Sequence, residues 1–184
     1  MVHTSFTSIA VALLTTAANA SAFELSSTDI QPGKTIEQKF AFNGFGCTGN
    51  NVSPALTWKN PPAGTKSFSV MVHDPDAKTG GAGFWHWLVV DVPAATTRFA
   101  QGVGGADSKD LPAGSRQIAT DFGTPGWGGP CPPAGEKAHR YNFTVYALKV
   151  DKLELPANPT ASLTGFMVNM NALGKASFTG LHGR

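Results

Sequence analysis

The chain has 184 residues, a length typical of one domain, and charged residues make up 14% of it, against roughly 25% in an average soluble domain. Its formal net charge is +2 and no run of Lys and Arg is present, which argues against a nucleic-acid-binding protein. The 21 glycines and 13 prolines favour many turns over long helices.

The N-terminal segment differs in kind from the rest of the chain. Residues 1–22 contain no Asp, Glu, Lys or Arg, residues 9–14 are apolar, and both 18–20 and 20–22 fit the small-x-small rule for cleavage. We interpret residues 1–22 as a secretory signal peptide, one that lacks the usual Lys or Arg near its start. No segment is long and apolar enough to predict a membrane span. The prediction is an exported domain, periplasmic or extracellular, over residues 23–184.

Short strands separated by turns are predicted along the remaining chain. Alternating apolar residues predict strands over residues 35–42 and 67–73, and a denser apolar run predicts a central strand over 85–92. Another strand is predicted over 141–148. The Pro/Gly-rich stretch 122–135 before it is long for a connection in a compact domain, which favours a functional loop.

One helix is predicted near the C-terminal end, followed by a last strand over residues 176–181. Pro159 and Thr160 offer a helix start. The apolar residues that follow at helical spacing are predicted to lie in the core; they are Leu163, Phe166, Met167, Met170 and Leu173. Many strands with one helix predict a mainly β fold, an antiparallel β-sandwich with peripheral short helices and a C-terminal helix.

Two segments each join a rigid turn to a histidine. In the first, Asp74-Pro75-Asp76 precedes the strand that carries His86, and in the second, Gly129-Pro130 precedes His139 and Tyr141. Proline and glycine turns fix backbone geometry, and histidine is suited to meet an anion or a proton near neutral pH. We interpret the segments as two halves of one polar pocket, whereas the first taken alone favours a plain Asx-turn.

Strand alternation gives the neighbours of these histidines a predicted direction. Trp85 and Trp87 are predicted to pack together on the face opposite His86. Arg140 is predicted to point away from His139 and Tyr141, as a surface or ion-paired arginine.

The chain contains two cysteines, Cys47 and Cys131. In an oxidising compartment an even count favours a disulfide, with two buried thiols as the alternative. A Cys131–His139 nucleophile pair and a zinc site of both cysteines with His86 and His139 are further alternatives. Neither is favoured, because Cys131 lies between prolines in a turn and the four residues lack the short spacings of zinc ligands. No Gly-x-Ser-x-Gly elbow is present, and no catalytic residue, metal or cofactor is predicted.

Four blocks of sequence carry a resemblance that covers nearly all of residues 23–184. They are Cys47-Thr48-Gly49-Asn50-Asn51 with Trp58; Asp74-Pro75-Asp76-Ala77 with Trp85-His86-Trp87; Asp121-Phe122-Gly123 leading to Gly129-Pro130-Cys131 and His139-Arg140-Tyr141; and Ala176 to Gly180. Together they resemble the phosphatidylethanolamine-binding protein family, also called Raf-kinase-inhibitor-like proteins, and in particular its exported bacterial branch, the YbhB/YbcL type.

The resemblance implies an antiparallel β-sandwich with a pocket for small anions, such as the phosphate of a phosphoethanolamine head group. The ligand-binding residues that it implies are Asp74, His86, Gly129, Pro130, His139 and Tyr141. Both imidazoles and the Tyr141 hydroxyl are expected to donate to the anion, and backbone amides near Gly129 to form a nest for it. Asp74 is expected to orient a histidine ring, and Asp76 to do the same or to cap the turn.

We therefore expect an exported, non-enzymatic protein that binds a small phosphorylated or anionic ligand. The alternative is an inhibitor or modulator of a protease or signalling partner that acts through the pocket rim. Three departures from the family pattern concern its loops and C-terminal region: Lys78 in place of a common proline, Met170-Asn171 in place of a usual Gly-His pair, and His182 in place of a common aromatic.

Overall fold

A computed structural model describes Met1 and residues 21–184, so nearly all of the predicted signal peptide lies outside the described residues. Ten strands alternate with loops, and one α-helix lies near the C-terminal end. The strands are β1 (Glu24–Ser26), β2 (Asn43–Gly44), β3 (Cys47–Thr48), β4 (Leu56–Lys59), β5 (Ser67–Asp74), β6 (Phe84–Pro93), β7 (Arg98–Phe99), β8 (Arg116–Gln117), β9 (His139–Leu148) and β10 (Ala172–His182). A 3₁₀ turn covers Gln38–Phe40 and helix α1 covers Ala161–Asn171. Among the described helices, none has the length and apolar character needed to cross a membrane.

The large sheet places the predicted central strands side by side. Its five strands run in the order β10-β9-β5-β6-β8, and every neighbouring pair is antiparallel. The strands predicted over 67–73, 85–92, 141–148 and 176–181 are confirmed as β5, β6, β9 and β10. Because β5 lies between β6 and β9, the C-terminal end of β5 meets the N-terminal ends of both neighbours at one edge of the sheet.

A smaller sheet, in the order β1-β4-β7, covers one face of the large sheet. Trp58 of β4 is almost completely buried and packs edge-on against Phe68 of β5 and Phe99 of β7, with ring centroids 5.5 and 5.3 Å apart. Burial of one such side chain contributes about 1.5–3 kcal/mol. The mainly β, sandwich-like architecture predicted from the sequence is therefore confirmed.

Helix α1 packs on the other face of the large sheet, but with a different side from the one predicted. It begins where expected, because the Thr160 hydroxyl accepts a hydrogen bond from the Leu163 amide, 3.1 Å away. Its buried residues are small: Ala161, Thr164, Gly165 and Val168. Leu163, Phe166, Met170 and Leu173 are exposed, so their predicted place in the core is wrong. Small side chains let the helix lie close to the sheet, and a Cβ on Gly165 would lie 3.6 Å from the Met71 side chain.

The predicted strand over residues 35–42 is also wrong. Thr35 forms a single bridge to Leu181, and the chain then turns through the 3₁₀ segment. Ile36 and Phe40 are both buried, because the Ile36 amide docks on the Leu181 carbonyl at 2.7 Å and the turn carries Phe40 into the same core. The alternating apolar residues here are buried as expected, but the backbone that carries them is not a strand.

Strand β6 contains an irregularity at the residue of most interest. Val72 pairs with Trp87 and His73 pairs with Trp85, which leaves His86 as an extra residue without a partner on β5. Such a bulge reverses the alternation and re-aims a side chain. Trp87 consequently enters the sandwich core while Trp85 packs toward α1, and the predicted common face of the two tryptophans is wrong.

Candidate functional site

A cavity of about 280 Å³ lies where β5, β6 and β9 meet at one edge of the large sheet. It is lined by Phe45, Asp74, Ala77, Lys78, Phe84, His86, Phe122, Cys131, Pro132, Pro133, His139 and Tyr141. Four of the predicted ligand-binding residues therefore share one cavity: Asp74, His86, His139 and Tyr141. They come from three strands, and the sheet order explains their meeting.

The His139 ring is bound to the Asp74 carboxylate. His139 Nδ1 lies 2.8 Å from Asp74 Oδ2, and both side chains are almost completely buried. Burial alone would lower the pKa of His139, but the hydrogen bond and charge of Asp74, helped by Glu136, raise it above its ordinary value. Nδ1 is thus the donor to Asp74, and of the two histidines in the cavity His139 is the one whose charged form its surroundings favour.

Asp74 also holds the loop that follows β5. Its Oδ1 accepts hydrogen bonds from the amides of Asp76, at 2.8 Å, and Ala77, at 3.1 Å. One carboxylate oxygen of Asp74 thus forms an Asx-turn and the other contacts the His139 ring. A single side chain fixes the loop and the ring together.

His86 has a different environment. It is almost completely buried, and its Nδ1 lies 2.6 Å from the Gly128 carbonyl oxygen, to which it donates. Burial lowers the pKa of His86 to about 4, and the Gly128 carbonyl opposes that shift only in part. The ring is therefore neutral near pH 7, and its Nε2, which has no hydrogen-bond partner in residues 21–184, carries a lone pair. The expectation that both imidazoles donate from the start is not met.

The turn at Gly129-Pro130 does not line the cavity, but the adjacent Gly128 is hydrogen-bonded to His86. The Gly128 amide donates to the His86 carbonyl at 2.9 Å, and the Gly129 amide donates to Asn51 Oδ1 at 2.7 Å. These amides are thus occupied, and the expected anion-binding nest does not form here. A Cβ at Gly129 would overlap the Phe40 carbonyl oxygen, so this position requires glycine for close backbone approach.

Tyr141 contributes a hydroxyl group to the cavity. The ring is fully buried and meets His86 edge-on, with centroids 5.0 Å apart. Its hydroxyl oxygen forms no hydrogen bond of standard geometry within the described part of the chain, although the Asp74 carboxylate and the Cys131 amide are its polar neighbours. Burial, with the nearby charge of Asp74, raises the pKa of Tyr141, so the hydroxyl keeps its proton and can donate.

Three phenylalanines form an aromatic side of the cavity. Phe122 meets Phe84 edge-on at 4.8 Å between centroids and lies parallel to Phe45 at 6.1 Å. Phe45 is 76% exposed, at the tip of the β2–β3 hairpin. Sequence reasoning missed this feature, although Phe122 belongs to a recognised block, because the three residues come from three segments far apart in the sequence: two loops and the start of β6.

The hairpin that carries Phe45 is fixed to the cavity rim. Cys47 of β3 and Cys131 form the predicted disulfide, with Cα atoms 5.9 Å apart. Arg184 donates to the carbonyl oxygens of Pro132, at 2.6 Å, and Gly46, at 2.9 Å. Bonded cysteines supply neither a thiolate nucleophile nor metal ligands, and residues 21–184 contain no cluster of His, Cys, Asp and Glu suited to a metal ion.

A family model described as phosphatidylethanolamine-binding protein matches residues 26–183. The chain belongs to this family. The UPF0098 protein YbcL of Escherichia coli (strain K12) is 45% identical over 176 residues, 96% of each chain. YbhB of the same organism is 43% identical over 158 residues, 86% of this chain and 98% of YbhB. The crystal structure of E. coli YbcL matches with a TM-score of 0.86 at 44% identity, over 89% of this chain and 99% of YbcL.

In this member of the phosphatidylethanolamine-binding protein family, Asp76 faces away from the cavity. Its carboxylate binds the Arg140 guanidinium, with the shortest distance 2.7 Å between Oδ1 and Nη2, and accepts the Arg140 amide at 2.8 Å. The arginine lowers the pKa of Asp76 to about 2. Asp76 therefore contacts neither histidine ring, and Arg140 lies at the surface, one of the two predicted alternatives, where it pairs with Asp76.

Two charged residues at the cavity mouth were not predicted as site residues. Glu136 Oε1 lies 2.9 Å from Lys78 Nζ, and Glu136 Oε2 lies 3.4 Å from His139 Nε2. Lys78 was visible as a departure from the family pattern, and Glu136 precedes His139 by three residues. Their contact depends on the conformations of two loops, which sequence spacing does not give.

Proposed function

We propose that this protein is an exported, non-enzymatic binding protein whose cavity takes a small phosphorylated anion of the phosphoethanolamine type. One observation carries the proposal: His139, whose charged form buried Asp74 favours, lines the same cavity as the Tyr141 hydroxyl and the free Nε2 of His86. A ring that favours the cation and a neutral donor both attract an anion.

The hydrogen-bonding pattern favours an anion that carries a proton. His139 and Tyr141 donate, whereas neutral His86 accepts at Nε2. A phosphate monoester, with a second pKa of about 6, supplies both acceptor oxygens and, in its monoanionic form, a P–OH donor for His86. A dianion requires His86 to take up a proton instead, which its buried position disfavours.

The aromatic side of the cavity supports a ligand with more than a bare phosphate. Phe45, Phe84 and Phe122 lie beside the polar groups and present faces and edges to the same space. An ammonium group over such a ring gains about 0.5–1 kcal/mol at an exposed site. O-phosphoethanolamine combines this ammonium with the phosphate that the histidines and tyrosine favour.

Export and the lack of catalysis have separate support. The uncharged N-terminal segment with small-residue cleavage sites is typical of a signal peptide, and the Cys47–Cys131 disulfide suits an oxidising compartment. The same disulfide removes both thiols as nucleophiles, and the residues that line the cavity offer His86 and His139 neither a serine nor a free cysteine.

Calorimetric titration with O-phosphoethanolamine tests the proposal. His139→Ala is expected to weaken binding by about 1.5–3 kcal/mol, the scale of a hydrogen bond to a charged group. His73→Ala is the matched control, since His73 packs against Trp85 outside the cavity and bonds the Ala82 carbonyl. Binding by the parent should weaken as the pH rises through the raised pKa of His139, because the cation is lost. Equal affinities for the parent and a folded His139→Ala variant would show that the anion binds elsewhere.

A further inference from the structure

Glu136 and Lys78 change how an anion can reach the cationic histidine. Nδ1 of His139 is bound to Asp74, so only Nε2 is available to a ligand. In the structure that atom lies 3.4 Å from Glu136 Oε2, and a carboxylate therefore already stands where an anionic ligand would bind. An incoming anion competes with this resident carboxylate.

The contact between Glu136 and Lys78 ties together the two loops at the cavity mouth. Glu136 lies in the turn after Pro133, with its amide on the Pro133 carbonyl at 3.3 Å, and Lys78 lies on the loop fixed by Asp74. Lys78 Nζ binds Glu136 Oε1 at 2.9 Å. The Lys78 side chain is 77% exposed, so packing does not hold it, whereas the Glu136 side chain is 24% exposed and is partly covered by its neighbours.

Lys78, Glu136 and His139 also stand between two spaces. Lys78 and His139 line the cavity described above, and all three line an open outer depression of about 610 Å³. The depression is lined as well by Asp76, Lys137 and Arg140. Asp76 and Arg140 form an ion pair with each other. The other charged residues that can rearrange around an anion are Lys137 and the Lys78–Glu136 pair.

We propose that Glu136 is a built-in competitor for the anion site, and that a bound anion displaces its carboxylate from His139 and takes over the Lys78 ammonium. This inference rests on the proposed anion-binding function. Glu136 and Lys78 are then specificity-determining residues. A ligand binds only if its interactions with His139 and Lys78 are stronger than those of the single Glu136 carboxylate. A phosphate group, with several oxygens that also reach Tyr141, meets that condition better than a simple carboxylate does.

Removal of the competitor should tighten binding. Inorganic phosphate, titrated by calorimetry, is expected to bind Glu136→Gln about twofold to fivefold more tightly than the parent, the range of an exposed ion pair. Glu154→Gln is the matched control, because it makes the same charge change at an exposed position outside both spaces. Glu136→Ala serves as a second variant, since the amide oxygen of the glutamine in the first variant can still accept from His139.

Lys78 gives the complementary measurement. Lys78→Gln is expected to weaken phosphate binding, because the anion loses a cation. In the Glu136→Gln background the same change should cost more, because in the parent the gain from the Lys78–anion contact is partly offset by loss of the Lys78–Glu136 ion pair. Lys152→Gln, also exposed and outside both spaces, controls for net charge.

Displacement itself can be observed by NMR with carboxyl-labelled glutamate. The Glu136 carboxyl signal and the His139 ring signals should shift together at the same phosphate concentrations, a response that a merely structural Glu136 would not give. If the parent binds phosphate, loses it in His139→Ala, and binds no more tightly as either Glu136 variant, the competitor role is wrong while the anion site stands. If neither the parent nor Glu136→Gln binds phosphate or O-phosphoethanolamine, the anion site itself is wrong.

Discussion

The two histidines of the cavity lie on walls that are stabilised by different kinds of interaction. The His86 wall, formed by Phe84, His86, Phe122 and Gly128, is held by aromatic packing and a neutral hydrogen bond to a carbonyl oxygen. The His139 wall, formed by Asp74, Lys78, Glu136 and His139, is held by charges. The pKa of His86 is lowered and that of His139 is raised, although both rings are almost completely buried.

The hydrogen-bond partner of Nδ1 determines the charge of each ring and whether its Nε2 donates or accepts. A carbonyl oxygen accepts from Nδ1 without favouring the charged ring strongly enough to offset burial, so His86 stays neutral and Nε2 accepts. A carboxylate favours the imidazolium, so His139 stays charged and Nε2 donates. The same residue type thus supplies opposite hydrogen-bonding roles on facing sides of one cavity.

Loss of the disulfide should have the largest effect on stability, and the structural change should lie mainly on the His86 side of the cavity. Cys131 borders the cavity, and the bond closes a loop between residues 84 positions apart. In the chain-entropy model, closure of so long a loop stabilises the fold by about 4–5 kcal/mol, an upper figure. Cys47→Ser with Cys131→Ser should lower the free energy of unfolding on that scale in urea titrations, measured against the oxidised parent.

The same variant separates the two walls. The raised pKa of His139 should survive in it, because Asp74, which supplies the main opposing charge, lies at the end of β5 and not on the hairpin that the disulfide anchors. NMR titration of the ring protons measures this. A His139 pKa that returns to its ordinary value would show that the walls are not independent.

His86 should make stability depend on pH in the acidic range. Its ordinary pKa of 6.5 falls to about 4 in the folded protein, so between these values the unfolded chain binds more protons and stability rises with pH. A shift of this size corresponds to about 3 kcal/mol between pH 4 and 6.5. His86→Gln should lose this part of the pH dependence in urea titrations, and His73→Gln should keep it. An unchanged slope in a folded His86→Gln variant would contradict the neutral state of His86.

The sequence predicted the architecture better than it predicted the faces and contacts. Alternation located β5 and β9, because half-buried strands impose a period of two, and a dense apolar run located β6. It failed at His86, where one extra residue in the strand puts Trp85 and Trp87 on opposite faces. A bulge leaves no mark in the apolar pattern of a strand that is buried on both faces.

Helix α1 shows the same limit from another side. Its sequence contains two stripes at helical spacing, one large and apolar and one small, and hydrophobicity favoured the large one as the buried face. The helix instead packs closely through Ala161, Gly165 and Val168. In the cavity, the resemblance located both histidines, Tyr141 and Asp74. It did not give the neutral state of His86 or the Glu136 contact, since both depend on loop backbones folded against the rings.

Asp74→Asn should give the smallest of these effects on stability and the sharpest test of the His139 wall. An asparagine keeps the shape but carries no charge and has one acceptor oxygen, so it can accept either from Nδ1 or from the loop amides, with its NH2 group toward the other. Loss of a hydrogen bond between charged groups costs about 1–3 kcal/mol. The pKa of His139 should fall in the variant, because the charge that opposes the burial penalty is gone.

The pH dependence of that loss has a definite sign. A raised pKa in the folded state means that the stabilisation is fully present below the ordinary value of 6.5 and is lost as the pH rises through the folded value. The difference between the parent and Asp74→Asn in urea titrations should therefore be larger at about pH 5.5 than at about pH 8.5. A difference that is equal at the two pH values would mean that Asp74 acts only through its Asx-turn. In that case the charge of His139 would not depend on Asp74, and the contrast between the two walls would have to originate elsewhere.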